Sequence, residues 1–531
     1  MKIANSNFKL WLLVFMFSAT VAIIVQKILL PYLFPHLHAG LGMLAETDSI
    51  TYHSYAIHIM EQARAFGGWT NWYLSLSSKP LYIYGSSTNI LAGPSIIGAL
   101  LYSLTIPTPL AWIPILAALH STSFILSVKI FESLFKNRLW AIICSLPFVL
   151  YPTAANWYTQ ILKDGFTVCA FFFLLYGHIL FVQNKNVIKE RMLGSLSILL
   201  GVILIWIMRP HQLLLAKILL YSEIILFMIY YVFLYKKKIL TSAQSSFSVL
   251  FLVLLVLFLI PQTEDILENL LFVPQARNAT SVSIPTIPIN FDENAEKISS
   301  PTKKSSSTST STSTSTSTST STSTSTSTST STSTSTSTST STSTSTSYIH
   351  NIKSSIVTKI TSINQYREGV FNSGGIVLDG NIKFYTLSDL ALNIPRALQI
   401  GLFAPFPNMI LKKGSNPTGN MMRKALCIEM FFSYLFLLGI PLSIMFFRKN
   451  IELWVILYFS TMMIILDSTL FLNMGTLHRF RYAHYTCIVG IGLSGWLIFF
   501  EYYYANFIES LKSILIKIPN QLNIKIGKLN K

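Results

Sequence analysis

The chain has 531 residues, of which 51% are hydrophobic and only 11% charged, with a mean hydropathy of +0.52. A soluble globular protein carries about 25% charged residues, so a soluble enzyme, a secreted disulfide scaffold and a nucleic-acid-binding domain are excluded, despite a formal charge of +18. In a chain this apolar, the positions of the charges say more than their sum.

Apolar runs of roughly 20 residues recur, each long enough to cross a hydrocarbon core about 30 Å thick. They predict an all-α polytopic membrane protein of about ten transmembrane helices (9 to 11), at residues 9–32, 110–130, 139–158, 165–183, 192–208, 212–235, 246–261, 425–447, 451–472 and 483–504. The first run is too long, and too poorly flanked by small residues, for a cleaved signal peptide and reads as an anchor. An eleventh candidate, Asn89–Ile106, is interrupted by Gly93, Pro94, Ser95 and Gly98.

The positive-inside rule arbitrates. If 89–106 does not cross, one side collects Lys2, Lys9, Lys129, Lys136, Arg138, Lys185, Lys189, Arg191, Lys236, Lys237, Lys238, Arg448, Lys449 and the tail lysines 512, 517, 525, 528 and 531. Leaving aside the loop after residue 261, the other side then holds only Arg64, Lys79, Lys163, Arg209, Arg479 and Arg481. Segment 89–106 is therefore expected to be re-entrant or interfacial, with both termini cytoplasmic.

This topology divides the chain into an N-terminal transmembrane module (1–261) containing an extracytoplasmic loop (33–109), a second extracytoplasmic loop (262–424), C-terminal helices (425–504) and a basic cytoplasmic tail (505–531). The second loop carries a Ser-Thr repeat within 305–347, unbroken from Ser307 to Ser347. Such a tract has nothing apolar to bury and is expected to be disordered, a spacer first and an O-glycosylation target second. Beyond it, Asn364–Leu411 regains apolar content and is expected to be an ordered subdomain on the membrane surface. Cys144, Cys169, Cys427 and Cys487 lie in or beside apolar runs, with no metal-ligand spacing, and read as small buried hydrophobes.

The first loop contains Glu46-Thr47-Asp48 followed by Tyr52-His53, leading into an amphipathic segment whose Ile50, Ile57, Met60 and Ala63 form an imperfect stripe, as in an interfacial helix. Asp48 at a helix start is either an N-cap or a functional carboxylate, and capping accounts for neither Glu46 nor the Tyr-His pair. Near the last span, His478-Arg479-Phe480-Arg481-Tyr482-Ala483-His484 concentrates cations outside. One such Arg reads as an interfacial anchor; two Arg and two His within seven residues point to phosphate or substrate. Lys163-Asp164 and Arg209-Pro210-His211 are expected at the same depth, Asp467 to pair with Arg479 or Arg481, and Lys27 and Lys217 to line a cavity or snorkel.

These elements resemble the GT-C superfamily of polyprenol-dependent glycosyltransferases, which includes the protein O-mannosyltransferases and the lipid A aminoarabinose transferases. The likeness rests on Glu46-x-Asp48 before a Tyr-His-x-x-Ala helix, on Lys79-Pro80-Leu81-Tyr82 ahead of a short apolar helix, and on Pro152, Trp157-Tyr158 and Lys163-Asp164 after the third span. It covers residues 1–240, with one Pro rather than two after Lys79. The resemblance implies a GT-C-like fold in a bacterial inner membrane, with the active site on the extracytoplasmic face and a polyprenyl-phosphate-linked sugar as donor for a lipid, glycan or protein acceptor. It also implies that Lys79, Tyr82 and His53 shape the substrate cavity.

Such a transfer needs a base for the acceptor and cations for the departing phosphate. Asp48, assisted by Glu46, supplies the first; Lys163, Arg209, His478, Arg479 and Arg481, with Asp164, supply the second. A divalent cation between Glu46 and Asp48 is a further option, although two carboxylates leave an octahedral shell unfilled. Two rivals stand beside this reading. A surface-polysaccharide polymerase or ligase would rely on the late His/Arg cluster and dispense with Asp48. A transporter or flippase would want matched broken helices at the midplane, and none is evident.

Overall fold

The computed structural model describes residues 2–45, 47–72, 93–135, 137–183, 188–209, 212, 213, 215, 219, 222, 357–369, 377–409 and 417–529. They belong to the compact unit formed by Met1–Val273 and Ser355–Lys531. Most of the expected span 212–235, all of 246–261 and the Ser-Thr tract lie outside the described residues.

Every regular element among the described residues is helical, and β pairing is limited to the isolated bridges His38–Leu44 and Val377–Asn473. The order is α1 (Lys2–Ile24), continued by a π-helical stretch (Val25–Leu33), α2 (Asp48–Ala65), α3 (Gly93–Leu104), α4 (Ile113–Leu134), α5 (Arg138–Leu150), α6 (Ala154–Thr159), α7 (Asp164–Val182) and α8 (Ile188–Met208). After a helical stretch at 357–369 come α9 (Leu387–Phe403), α10 (Pro417–Leu437), α11 (Ile440–Phe447), α12 (Ile451–Leu470) and α13 (Met474–Leu529). Among the described residues, seven segments are long and apolar enough to cross a bilayer: Asn7–Leu33, Pro109–Leu134, Asp164–Phe181, Lys189–Met208, Thr418–Phe447, Ile451–Leu470 and Met474–Tyr504. The described residues are those of an all-α membrane protein.

Three expectations change. The span predicted at 139–158 is not one helix: α5 ends at Leu150, and Tyr151 turns to extended backbone (φ −65°, ψ 127°) before Pro152, because proline disfavours helical geometry in the residue ahead of it. Thirteen residues rise only about 20 Å, short of the hydrocarbon thickness. Second, the last membrane helix starts at Met474 rather than at 483, so the His478–His484 cluster lies on helical turns and not in a loop. Third, the packed face of α2 is Ser49, Tyr52, His53, Ala56, Ile59, Met60 and Ala63; Ile50 and Ile57 are only half-buried, and the helix lies against α3. Of the expected segment 89–106, the described helix 93–104 has twelve residues and reaches about 18 Å; residues 89–92 lie outside the described residues.

The α7–α8 pair forms the most extensive contact and depends on two glycines facing each other. A Cβ on Gly177 would sit 2.7 Å from the Gly194 carbonyl oxygen, so only a small residue allows this approach. The α9 subdomain begins with a capping box between Thr386 and Asp389. Arg396 pairs with Asp379 at 2.7 Å, and Arg367 donates to the carbonyls of Thr469, Asp379 and Ile382, which fastens this subdomain to the end of α12.

Candidate active site

The site assembles on a turn, residues 151–164, that links α5 to α7. Polar side chains hold this turn from several directions. Gln26, in the π-helical stretch of the first span, donates to the Thr159 carbonyl (2.6 Å). Gln160, buried, accepts from the Leu44 N–H (2.9 Å) and donates to the Gly42 carbonyl (3.3 Å). Gly42 sits at φ +84°, which a side chain tolerates poorly, so the first loop can present its carbonyl to Gln160. From the far half of the chain, Glu429 accepts the Thr153 N–H (2.5 Å) and O–H (2.9 Å).

Held in this way, the turn delivers Lys163 and Asp164 to the start of α7. Asp164 is fully buried; one oxygen accepts from Arg209 Nη2 (2.6 Å) and the other from Arg479 Nη2 (2.8 Å) and Nε (3.1 Å). The same Arg479 Nη2 reaches Asp48 Oδ2 at 3.1 Å. Arg479 therefore joins a buried carboxylate to one whose side chain is 52% exposed. Lys163 Nζ lies 5.3 Å over the Tyr52 ring, and Arg209 stacks on Phe480 at 3.9 Å. Burial first, and the neighbouring Arg209 charge second, lower the Lys163 pKa to about 8. Burial likewise lowers Arg209 from its ordinary value, against the opposing pull of Asp164, and raises the Tyr52 phenol above its usual range.

Asp48 is the first residue of α2, not its cap. Thr47 occupies the N-cap position, and its hydroxyl is engaged by the Leu44 carbonyl (2.8 Å) and Ser49 Oγ (2.5 Å). The Asp48 carboxylate turns to Arg479 instead.

Of the residues singled out in the sequence, Asp48, Lys163, Asp164, Arg209 and Arg479 come together here; Glu46, Lys79, Tyr82, His211 and Lys217 lie outside the described residues. Arg481 goes elsewhere. Two positions along a helix place side chains about 200° apart, and Arg481, fully buried, donates to the carbonyls of Ile400, Gly401 and Ala404 at the end of α9, leaving it no part in the cluster. His478 is buried, with Nε2 on the Thr153 hydroxyl (2.9 Å). Asp467 pairs with neither Arg479 nor Arg481; both its oxygens are buried without a hydrogen-bond partner. Lys27 is exposed, and His120 packs between Phe148 and Tyr158 at 4.6 Å from each.

His53 is set behind Tyr52. The Tyr102 hydroxyl receives the Trp112 N–H (3.2 Å) and is hydrogen-bonded to His53 Nδ1 (2.7 Å). Burial lowers its pKa to about 4, keeping the ring neutral at physiological pH. Gln160, Thr153 and Glu429 were not singled out in the sequence; for Glu429 a signal existed, an acidic residue within an apolar run. No group of three or more His, Cys, Asp or Glu able to hold a metal comes together among the described residues. No family model, curated protein or solved structure matches this chain.

Proposed function

We propose that the chain is an integral membrane glycosyltransferase moving a sugar from a polyprenyl-phosphate donor to an extracytoplasmic acceptor, of the GT-C type that the first loop resembles. The observation that carries this reading is Arg479 spanning the exposed Asp48 and the buried Asp164. Asp48 is the accessible carboxylate and acts as the base: it takes the proton of the acceptor hydroxyl as that oxygen bonds the sugar's anomeric carbon. The bond from that carbon to the phosphate oxygen breaks, and the polyprenyl phosphate departs with the electron pair. Arg479, 28% exposed, and Lys163 meet its charge. Arg209, held by Asp164 and Phe480, keeps Asp164 in place rather than reaching the donor.

A polymerase relying on the late cluster alone is less well supported, because Arg479 and Asp48 form one site. The deciding experiment is transfer by the purified full chain in proteoliposomes supplied with radiolabelled polyprenyl-phosphate sugars. Label moving to an acceptor, and lost with Asp48→Asn, supports the reading. Transfer that survives both Asp48→Asn and Glu46→Gln refutes it. In cells, deletion should cause a lipid-linked sugar to accumulate.

A further inference from the structure

We infer that Glu429 is a positioning residue for this site, acting through Thr153 and the 151–164 turn on both Asp164 and the Asp48 loop. The inference builds on the proposed function for its catalytic consequence, whereas the coupling it describes is structural.

Glu429 is nearly fully buried within α10. Charged groups at such depth are costly unless they are satisfied, and this one is spent on a single residue, accepting both the N–H and the O–H of Thr153. Because the Thr153 hydroxyl gives its proton to Glu429, its oxygen can only accept from His478 Nε2 (2.9 Å). His478 lies 3.9 Å from Glu429 Oε2 and packs on Trp157, which belongs to the same turn, with ring centroids 6.2 Å apart. One carboxylate thereby sets two things at once: the start of the short helix α6 that leads to Gln160 and Asp164, and the rotamer of the residue preceding Arg479.

Gln160 carries the effect further. Through Leu44 and Gly42 it holds the loop that ends at Asp48, and Ser49, the residue after Asp48, lies 3.5 Å from the same Gln160 oxygen. A loosened Thr153 therefore releases Asp164 on one side and Asp48 on the other, and Arg479 must bridge both. A carboxylate is required because Thr153 offers two donors. The N–H goes to one carboxylate oxygen and the O–H to the other, so in this geometry a glutamine keeps one acceptor and turns an NH2 group toward the second donor.

The test compares Glu429→Gln with Thr153→Ser, which keeps both donors, and Thr153→Val, which loses the hydroxyl. Hydrogen exchange of the full chain in nanodiscs is the first readout. Glu429→Gln should speed exchange at least tenfold in 153–164 and also in 42–50, about 380 residues from Glu429 in sequence and on a different element. Thr153→Val should do so partially, and Thr153→Ser should match wild type. Acceleration confined to α10, or none, overturns the inference whatever the protein's activity. The second readout is transfer: kcat for Glu429→Gln should fall at least tenfold with KM for the donor nearly unchanged, restored neither by higher donor concentration nor by cooling. Unchanged kcat alongside spread exchange would overturn the catalytic consequence. A wild type without transferase activity would instead count against the proposed function and leave the exchange result standing.

Discussion

Asp48 and Asp164 are both carboxylates on Arg479, yet replacing each with asparagine should have opposite effects. Asp164 is fully buried and lies between Arg209 and Arg479; Asp164→Asn leaves two guanidinium groups facing each other with one of them out of water. Removing one partner from such a pair costs about 3–5 kcal/mol. Asp48 is half exposed, so the loss of its ion pair is worth at most about 1 kcal/mol, and its interaction with the helix dipole at the start of α2 adds about 0.3–1 kcal/mol. The Thr47 side chain makes no capping bond to α2, and neither substitution removes one. Asp48→Asn should therefore accumulate in membranes like wild type and keep its thermal stability in detergent, while transfer falls by roughly 10² or more, the scale of a lost general base. Asp164→Asn should lower the temperature at which the detergent-solubilised protein stays monodisperse, and reduce its abundance. The reasoning fails if Asp164→Asn is as stable as wild type, or if Asp48→Asn is unstable but retains its activity per folded molecule.

Three more outcomes follow from the geometry. Lys163, with its pKa at about 8, is cationic below that pH and neutral above it, so donor binding should weaken as pH rises through about 8; Lys163→Arg should remove this limb, and a limb unmoved in that variant would exclude Lys163. The same lowering means that the unfolded chain holds a proton the folded one lacks between about 8 and the ordinary lysine value, so Lys163 contributes a stability that rises with pH across that window. Arg481→Met should destabilise by several kcal/mol, because three carbonyls at the end of α9 lose a charged donor, and kcat per folded molecule should change little; a stable but inactive variant would return Arg481 to the site. Reporter fusions at Lys136 and Thr330 should report opposite sides of the membrane, and identical sides would overturn the topology.

Lys163, Arg209 and Arg479 each stood out in the sequence because cations expected on the outer side run against the positive-inside bias. Arg481 stood out for the same reason and misled, since a cluster of adjacent charges looks like one patch until a helix spreads its members around the axis. That reading turned on a helix start nine residues earlier than hydropathy suggests, because hydropathy discounts the polar turns Met474–Tyr482 that are nonetheless helical. Gln160 and Thr153 were illegible for a different cause: they are uncharged, and their partners are backbone groups or residues over 100 positions away. The expectation for Asp467 failed because sequence proximity to the outer membrane edge says nothing about which way its side chain faces.

The bridge from Arg479 to Asp164 also fixes an order of events during biosynthesis. Asp48, Asp164 and Arg209 leave the ribosome early, whereas Arg479 follows Arg209 by roughly 270 residues, on the order of 10 to 50 seconds of synthesis. Until Arg479 is made, Asp164 has only Arg209 of its two cationic partners, and Asp48 lacks the one it pairs with in the finished chain. Insertion of the helix that carries Arg479 should supply the missing partner to both carboxylates. A chain truncated before Met474 should therefore be recognised by membrane proteases as unfinished, even with most of its apolar helices in place.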